Sequence, residues 1–243
     1  MRLRFFAIGA VCVLLWYLFT PGRTGYSRVV SNGSTSYTSS IPQRIWQTWD
    51  TSELDIRDEQ RELAKSWLEM NPEYRHELLT DEQAPTYVEE RYSDRPDIVA
   101  IFNQTSDKIL RADLVRYLAL LADGGVYADI DTDCSRPIRE WIPEPYAQKA
   151  GLVLGIEYDY QGGEVRGDFA IPVQLCQWSF MASPGHPVLR HVVDRVFQKA
   201  AADIKGSPNV TSHGLLQIWD TTGPRASIFH MHDSFCHELT RNT

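Results

Sequence analysis

A predicted helix, a pair of glycines and a predicted strand follow one another without a break in the middle of this chain. Residues Ser106–Asp123 are rich in Leu, Ala, Arg and Ile, which predicts a helix, and Gly124-Gly125 would end it. From Val126 onward the residues predict a strand, whose period of two would direct three alternating carboxylates to one side. These carboxylates belong to Asp129, Asp131 and Asp133. The fold must therefore place this acidic strand end directly after its most strongly predicted helix.

The rest of the chain after residue 40 predicts strands that alternate with helices. Strands are predicted at Arg44–Trp49, Tyr74–Leu79 and Leu152–Ile156, and a mixed segment at Leu175–Met181. Helices are predicted from Ser52 to about Met70, at Asp81–Tyr92 and Pro96–Phe102, and from His186 to about Ala201. This alternation favours an α/β architecture. With 243 residues and no internal repeat, the chain has room for one sizeable domain, which we expect at residues 41–243.

The first 20 residues have the composition of a membrane-directed segment. Arg2 and Arg4 precede an apolar run from Phe5 to Phe19, somewhat shorter than the ~20 residues that span a bilayer comfortably. Because no small-residue cleavage site closes the run, we expect a retained signal anchor at residues 1–20 rather than a cleaved signal peptide. Residues 21–40 are rich in Ser, Thr, Gly and Tyr and predict a flexible stem. The domain that follows would then face a lumen.

Glycosylation patterns and cysteines agree with a lumenal domain. Asn32, Asn103 and Asn209 each begin an Asn-x-Ser/Thr acceptor triplet. Three cysteines lie outside the anchor, so one disulfide would leave one of them unpaired. These are Cys134, Cys176 and Cys236. The sequence does not select a pair, and buried free thiols are the alternative.

The charge pattern limits the classes of partner. The formal net charge is -8, and Lys and Arg form no basic stripe, so we expect no nucleic-acid partner. The chain also lacks a Gly-x-Ser-x-Gly elbow and a Gly-rich phosphate loop, which lowers the support for the enzyme classes that use them. The acidic strand end is therefore the strongest lead to function.

Three aspartates this close together would repel one another in a partly buried site unless a cation held them. Mg²⁺ or Mn²⁺ prefers oxygen ligands, and in such sites Mg²⁺ typically takes one or two protein carboxylates and completes its shell with substrate phosphates and water. A strand that ends in carboxylates suits the carboxyl edge of an open α/β sheet, where ligands bind. The pattern therefore predicts a divalent cation and a phosphorylated substrate.

A calcium loop is the main rival interpretation. The three aspartates and Glu140 occupy positions one, three, five and twelve of an EF-hand loop. Position six, which requires glycine for its sharp turn, holds Cys134, and position nine holds Pro137. These mismatches disfavour calcium. A solvated acidic turn with no ligand is the second alternative.

Several stretches of the chain resemble one family in the order in which they occur. Ala112–Arg116 through Gly124–Asp131 resembles the sugar-transfer signature of glycosyltransferase family 32, with its Asp-x-Asp motif. Three further stretches resemble the fungal initiation-specific α-1,6-mannosyltransferase branch of that family. They are Ile41–Trp49, Gln174–Trp178 with Pro184–Pro187, and Thr222–Pro224. Such an ordered set is far more specific than a lone Asp-x-Asp motif.

The resemblance implies a lumenal domain of the GT-A type in a single-pass type II protein of the Golgi membrane. It also implies retaining transfer of mannose from GDP-mannose, with Mn²⁺ or Mg²⁺ as the cofactor. Asp129 would contact the nucleotide ribose or the metal shell, and Asp131 would bind the metal that bridges the diphosphate. Asp113 and Arg116 would hold the donor sugar and nucleotide, and on a helix their spacing of three places both on one face.

The acceptor implied by this branch is an N-glycan, which would receive an α-1,6-linked mannose. Transfer to inositol phosphoceramide and a noncatalytic lumenal protein of the same fold are the alternatives, and membership of a Golgi transferase complex is a further expectation. Glu157 and Asp159, after a predicted strand, are candidates for acceptor contact, with simple solvation as the alternative. Because family members usually continue beyond the region of Thr243, we expect part of the donor-pocket floor to be missing.

Overall fold

The computed structural model describes residues 40–50, 56–144, 146–147, 149–159 and 173–206. The strands are β1 (Arg44–Trp49), β2 (Arg75–Thr80), β3 (Gly125–Ala128), β4 (Leu152–Asp159) and β5 (Val173–Ala182). The helices are α1 (Asp58–Met70), α2 (Ala84–Arg91), α3 (Pro96–Gln104), α4 (Lys108–Ala122) and α5 (Pro187–Gly206), with a short 3₁₀ turn at Ile138–Glu140.

The described strands form one five-stranded sheet in the order β2-β1-β3-β5-β4. β1 pairs in parallel with β2 and with β3, whereas β5 is antiparallel to both β3 and β4. Parallel neighbours need crossover connections, and α1 connects β1 to β2 while α2, α3 and α4 lie between β2 and β3. The predicted α/β class is confirmed. The parallel strands β2, β1 and β3 end at a common edge of the sheet, which we call the carboxyl edge.

Helix α4 runs through the larger hydrophobic cluster. Asp107 caps the helix by accepting hydrogen bonds from the backbone N–H groups of Ile109 and Leu110 at 2.9 and 3.1 Å. Every residue from Asp113 to Leu121 is buried, and the cluster joins α4 to α2, α3, α5 and one side of the sheet. A second cluster lies on the other side, where α1 contributes Trp67. The sheet is therefore covered on both faces, as an α/β fold requires.

The double glycine between α4 and β3 is required by its backbone geometry. Gly124 has φ +67° and Gly125 has φ +112°, a region that other residues rarely adopt. A Cβ at Gly124 would lie 2.6 Å from Cδ of Pro184, and one at Gly125 would lie 2.6 Å from the carbonyl oxygen of Arg44. The two glycines therefore let the chain leave a buried helix and enter a central strand within two residues.

The predicted extent of the acidic strand is wrong. β3 ends at Ala128, and the aspartates that follow lie in a turn instead of alternating along the strand. The last ladder-like hydrogen bond joins Asp129 N–H to the carbonyl oxygen of Trp178 at 2.8 Å. The backbone N–H of Thr132 then donates to the carbonyl oxygen of Asp129 at 3.1 Å, which closes the turn and bends the chain out of the sheet.

Most other element boundaries differ from the prediction by a few residues, and two of the differences affect residues singled out in the sequence. Strand β4 continues to Asp159, because its pairing with β5 extends to Val173, so Glu157 and Asp159 lie within a strand and not in a loop after it. Helix α1 begins at Asp58, and the predicted cap Ser52 lies outside the described residues.

Some predictions fall on residues that the structure does not describe. These are the anchor and nearly all of the stem, Asn32 and Asn209, Cys236 and the Thr222–Pro224 stretch. Among the described helices, none combines the length and apolar character needed to cross a membrane. Cys134 and Cys176 are described, and both are buried free thiols.

Candidate active site

Each of the three parallel strands is followed by an aspartate at the carboxyl edge. Asp50 follows β1, Asp81 follows β2 and Asp129 follows β3. The ammonium of Lys108, at the start of α4, lies 3.5 Å from Asp81 and 4.0 Å from Asp50. Asp50, Asp81 and Lys108 were missed in the sequence because single charged residues carry no motif. The rule that ligands bind at the carboxyl ends of parallel strands would have indicated the two aspartates.

Arg116 is the centre of a buried charge network at this edge. Its Nη2 lies 2.7 Å from Asp113 Oδ1 and 3.5 Å from Asp129 Oδ1, while Nη1 donates to the carbonyl oxygen of Gln177 at 3.2 Å. The guanidinium also lies over the ring of Tyr127, 5.0 Å from its centroid. The predicted shared helix face of Asp113 and Arg116 is confirmed. The structure adds that this face meets the first aspartate of the acidic turn.

The charge of Arg116 is maintained by its two carboxylate neighbours. Burial by itself would lower the pKa of Arg116, but the charges of Asp129 and Asp113 outweigh burial and raise the pKa well above its ordinary value. Its Nε is buried and has no hydrogen-bond partner among the described residues. The guanidinium therefore remains cationic while one of its donors is left unsatisfied.

Tyr127 holds Asp129 from within the sheet. Its hydroxyl donates to Asp129 Oδ1 at 2.7 Å and lies 3.0 Å from Oγ1 of Thr48 on the neighbouring strand β1. Burial and the charge of Asp129 raise the pKa of Tyr127 above its ordinary value, so its hydroxyl keeps the proton that it donates. The contacts that Tyr127 and Arg116 make with the Asp129 carboxylate both involve Oδ1. Among the described residues, Oδ2 of Asp129 accepts no hydrogen bond.

Asp131 lies in the turn beyond this network and is exposed. Partial desolvation, followed by repulsion from the Asp129 carboxylate, raises the pKa of the Asp131 carboxyl above its ordinary value. A divalent cation would relieve that repulsion. Within the described ranges, no group of three or more His, Cys, Asp or Glu side chains converges on one point that could hold a metal. The donor set therefore fits a cation that takes two carboxylates and completes its shell with ligand oxygens and water, and it does not fit a closed calcium loop.

The C-terminal half of α1 fixes the acidic turn from the opposite side of the sheet. Trp67 Nε1 donates to the carbonyl oxygen of Thr132 at 2.9 Å, and Ser66 Oγ accepts from the backbone N–H of Cys134 at 2.9 Å. Asn71, which is fully buried, accepts from the backbone N–H of Ile138 at 2.7 Å and donates to the Cys134 sulfur at 3.4 Å. These contacts fix the turn from below, while Asp131 and Asp133 remain exposed. No local sequence signal indicates them, because they connect segments more than 60 residues apart.

A small cavity of about 10 Å³ lies beside the network at the carboxyl edge, and its walls include Thr48, Asp81 and Arg111. This volume is about that of a single water molecule. Arg111 stacks on Phe102, with its guanidinium carbon 5.1 Å from the ring centroid, and its buried Nε has no partner among the described residues. One wall of the cavity is therefore a cationic residue with an unsatisfied Nε that the sequence did not single out.

The remaining candidates are distributed as follows. Glu157 is exposed on β4, where its Oε2 accepts from Nε2 of Gln174 at 2.8 Å, and Asp159 is exposed two residues further along the same strand. Asp133 is exposed in the turn.

The glycosylation candidate Asn103 is exposed near the end of α3, and its Nδ2 donates to Glu89 at 3.0 Å. The structure therefore brings Asp113, Arg116 and Asp129 together, with Asp131 next to them and the acceptor candidates on a neighbouring strand.

A mixed α/β sheet with an Asp-x-Asp turn at its carboxyl edge, held by a buried carboxylate–guanidinium network, defines a GT-A-type glycosyltransferase domain. The fold agrees with a solved structure titled "PaToxG Glycosyltransferase", at a TM-score of 0.54 and 16% identity, over 80% of this chain and 70% of that one. A similarity at this level of identity supports the fold alone.

Residues 57–148 match the model of the family described as "Glycosyltransferase sugar-binding region containing DXD motif". The chain is 35% identical over 163 residues to the initiation-specific α-1,6-mannosyltransferase of Candida albicans, covering 64% of this chain and 42% of that protein. It is 33% identical over 129 residues to a mannosyl phosphorylinositol ceramide synthase of Saccharomyces cerevisiae, covering 53% of this chain and 32% of that protein. The chain spans less than half the length of these relatives. The resemblance found in the sequence is confirmed.

Proposed function

We propose that this chain carries the catalytic region of a mannosyltransferase that transfers mannose from GDP-mannose to a glycan. The observation that carries the proposal is the network in which Arg116 joins Asp113 to Asp129, directly before the exposed Asp131. Such a network holds one carboxylate in a fixed position at the edge where a phosphorylated ligand binds. The mannosyl donor is supported by the names of the relatives, which include both an α-1,6-mannosyltransferase and a mannosyl-lipid synthase.

Mn²⁺ or Mg²⁺ is the proposed cofactor, and Asp129 and Asp131 are the residues that would hold it. The three carboxylates and one guanidinium of the site leave a formal charge of about -2, which a divalent cation would balance. When bound, the cation supplies a Lewis acid that stabilises the negative charge of a leaving diphosphate.

The chain's own residues position and orient the reacting groups. Arg116 holds Asp129 in place, since its Nη2 contacts both Asp129 and Asp113. The hydroxyl of Tyr127 donates to the same oxygen of Asp129 that Arg116 contacts, so within the described part of the chain Oδ2 is the atom left for a ligand. We infer a positioning role for Arg116 in addition to the donor contact predicted from the family. Arg111, which lines the edge cavity and has a buried Nε without a partner among the described residues, is a second candidate for contact with the anionic donor.

An N-glycan that accepts an α-1,6-linked mannose, with retention of configuration, is the proposed acceptor. The favoured setting is the Golgi membrane, with a type II anchor at residues 1–20 and membership of a transferase complex as a further proposal. The second candidate is inositol phosphoceramide, which is supported by the similarity to the mannosyl phosphorylinositol ceramide synthase over 53% of this chain. Both candidates use the same donor site and differ in the surface that receives the acceptor.

The proposal is tested by measuring release of nucleotide from a panel of nucleotide sugars, with and without Mn²⁺. Wild type should prefer GDP-mannose and require the metal, and Asp131→Asn should lower turnover about 10²-fold or more, because removing a metal ligand weakens Lewis-acid stabilisation worth several kcal/mol. Asp133→Asn is the matched control, since it removes an exposed aspartate from the same turn. Equal loss in both variants would contradict the assigned metal role.

Two further measurements distinguish the two proposed acceptors from each other and an enzyme from a noncatalytic protein. Transfer to a mannose-rich N-glycan and to inositol phosphoceramide in detergent micelles should distinguish the two acceptors. No metal-dependent binding of any nucleotide sugar would instead support a noncatalytic lumenal protein of the same fold.

A further inference from the structure

Trp178 is a strand residue whose large aromatic side chain is partly exposed, although both of its neighbours in the chain are buried. Its exposed fraction is 37%, whereas Gln177 and Ser179 on either side are buried. A single exposed apolar residue needs no explanation in general. This one lies on β5, directly next to the acidic turn, so its surroundings are informative.

An irregularity in the sheet fixes the position of Trp178. Leu154 of β4 pairs with Phe180 of β5, but Ile156 pairs with Leu175, so Gly155 alone faces a stretch of four residues, 176–179. A Cβ at Gly155 would lie 3.1 Å from the Cβ of Cys176, which shows how closely the bulge packs on the glycine. Bulges of this kind redirect side chains and are frequent next to active sites.

The buried thiol of Cys176 stabilises the inside of the bulge. Burial raises the pKa of this thiol well above its ordinary value, and backbone hydrogen bonds from Ser179 and Trp178 to the sulfur oppose that rise. The carboxylates of Glu157 and Asp129 both raise the same pKa. Cys176 therefore lies within electrostatic reach of the acidic turn and of Glu157 on β4.

The backbone of the bulge is attached to the donor network. The carbonyl oxygen of Trp178 accepts from the backbone N–H of Asp129 at 2.8 Å, and the carbonyl oxygen of Gln177 accepts from Arg116 Nη1 at 3.2 Å. Both carbonyl groups thus face the charged site while the indole of Trp178 remains partly exposed. Four residues before Trp178 on β5, Gln174 donates from Nε2 to Oε2 of Glu157 on β4 at 2.8 Å, which forms a polar pair across the two strands.

We propose that the indole of Trp178 is the platform on which the accepting sugar ring stacks, with the Glu157–Gln174 pair receiving its hydroxyl groups. This inference rests on the proposed mannosyl transfer and specifies where its acceptor lies. A pyranose has an apolar face of C–H groups and a polar rim. A partly exposed indole, on the strand that also carries the Gln174 amide bonded to the Glu157 carboxylate, offers a partner for each feature. The bulge positions this platform against the first aspartate of the motif, so a stacked sugar lies next to the donor.

The test compares Trp178→Ala and Trp178→Phe with Leu68→Ala in the full chain, using GDP-mannose, Mn²⁺ and an oligomannose acceptor. Leu68 has the same exposed fraction, 37%, on the last turns of α1. Because aromatic anchors commonly dominate the binding energy of an interface, Trp178→Ala should raise the KM for the acceptor about tenfold, which corresponds to about 1.4 kcal/mol. It should also lower the ratio of transfer to donor hydrolysis. Trp178→Phe should recover part of the loss, and Leu68→Ala should leave both quantities at wild-type values.

The outcomes separate this inference from the proposed function. If wild type transfers mannose and Trp178→Ala raises the KM for GDP-mannose, or changes neither KM, the acceptor platform is refuted and the proposed function stands. If wild type neither hydrolyses nor transfers any mannosyl donor, the proposed function fails and the platform fails with it. Recovery by Trp178→Phe distinguishes stacking from a general loss of structure, which circular dichroism and thermal melting monitor in parallel.

Discussion

Replacing Arg116 by Met tests whether the charge network is a structural requirement of the site. The substitution keeps most of the side-chain volume but removes the guanidinium that lies 2.7 Å from Asp113, in a pair whose side chains are only 9% and 7% exposed. Removing one partner of a buried ion pair typically costs about 3–5 kcal/mol, because the remaining charge has neither water nor a counter-ion. For a urea m-value of about 2.5 kcal/mol/M, the unfolding midpoint should fall by roughly 1–2 M.

Arg95 provides a matched control on the surface. It also joins two aspartates, with Nη2 2.8 Å from Asp97 and Nη1 3.1 Å from Asp194, but its side chain is 36% exposed. Ion pairs in water contribute about 0–1 kcal/mol, so Arg95→Met should move the midpoint by less than about 0.4 M. Urea titrations followed by circular dichroism and tryptophan fluorescence measure both variants. Equal losses in the two variants would refute the argument from burial.

The pH dependence gives the same prediction an independent check. In Arg116→Met, Asp113 is buried without its cation, so its pKa in the folded state should rise above the unfolded value of about 3.9. The folded variant then binds a proton more readily than the unfolded chain. The free energy of unfolding of the variant should therefore fall furthest below that of wild type near pH 7. This difference should narrow as the pH falls through the raised pKa. Adding Asp113→Asn should recover part of the lost free energy of unfolding at pH 7. If the loss in Arg116→Met is the same at every pH, the Asp113 carboxylate is not its cause.

Three other predictions follow from local contacts. Asn71→Ala should lower stability by about 1–3 kcal/mol in urea titrations, because it removes the acceptor, 2.7 Å away, of a buried backbone N–H, whereas the surface control Asn103→Ala should stay within about 0.5 kcal/mol. Gly125→Ala should lower the free energy of unfolding by about 1–3 kcal/mol or more, since its φ is +112° and the new Cβ would lie 2.6 Å from the Arg44 carbonyl oxygen. Without divalent metal, Asp131→Asn should raise the melting temperature at pH 7, because a raised pKa means that the anion destabilises the folded state. That gain in melting temperature should shrink as the pH falls through the raised pKa and the wild-type carboxyl becomes protonated, and a gain that is independent of pH would contradict the prediction.

Patterns between near neighbours in the chain predicted the class of fold and one part of the site. The alternation of strands with helices indicated α/β, and Asp113 with Arg116 were expected on one helix face because residues three apart on a helix are neighbours. Their contact at 2.7 Å agrees with this. The double glycine marked the helix end correctly, since the backbone there requires positive φ at both positions. All of these features depend on residues that are close in sequence.

The predicted extent of the acidic strand was wrong, because where a strand ends depends on its pairing partner and not on patterns between near neighbours. Alternating aspartates fit a strand as well as a turn, and the choice depends on the pairing partner. β3 ends at Ala128, where its ladder with β5 reaches Ser179, and the bulge in β5 follows immediately. A single sequence carries no signal for where an antiparallel neighbour bulges.

The order of the elements, the Asp-x-Asp motif and the resemblance to the glycosyltransferase family could all be read from the amino-acid sequence. How the motif is held could be seen only in the folded domain, where Arg116 from α4, Tyr127 from β3 and Trp67 from α1 reach the acidic turn from three elements. The tertiary structure also decided that Trp178 lies beside Asp129. The reason is that hydrophobic periodicity specifies which face of each element is buried, whereas contacts across the sheet depend on register and packing between residues distant along the chain.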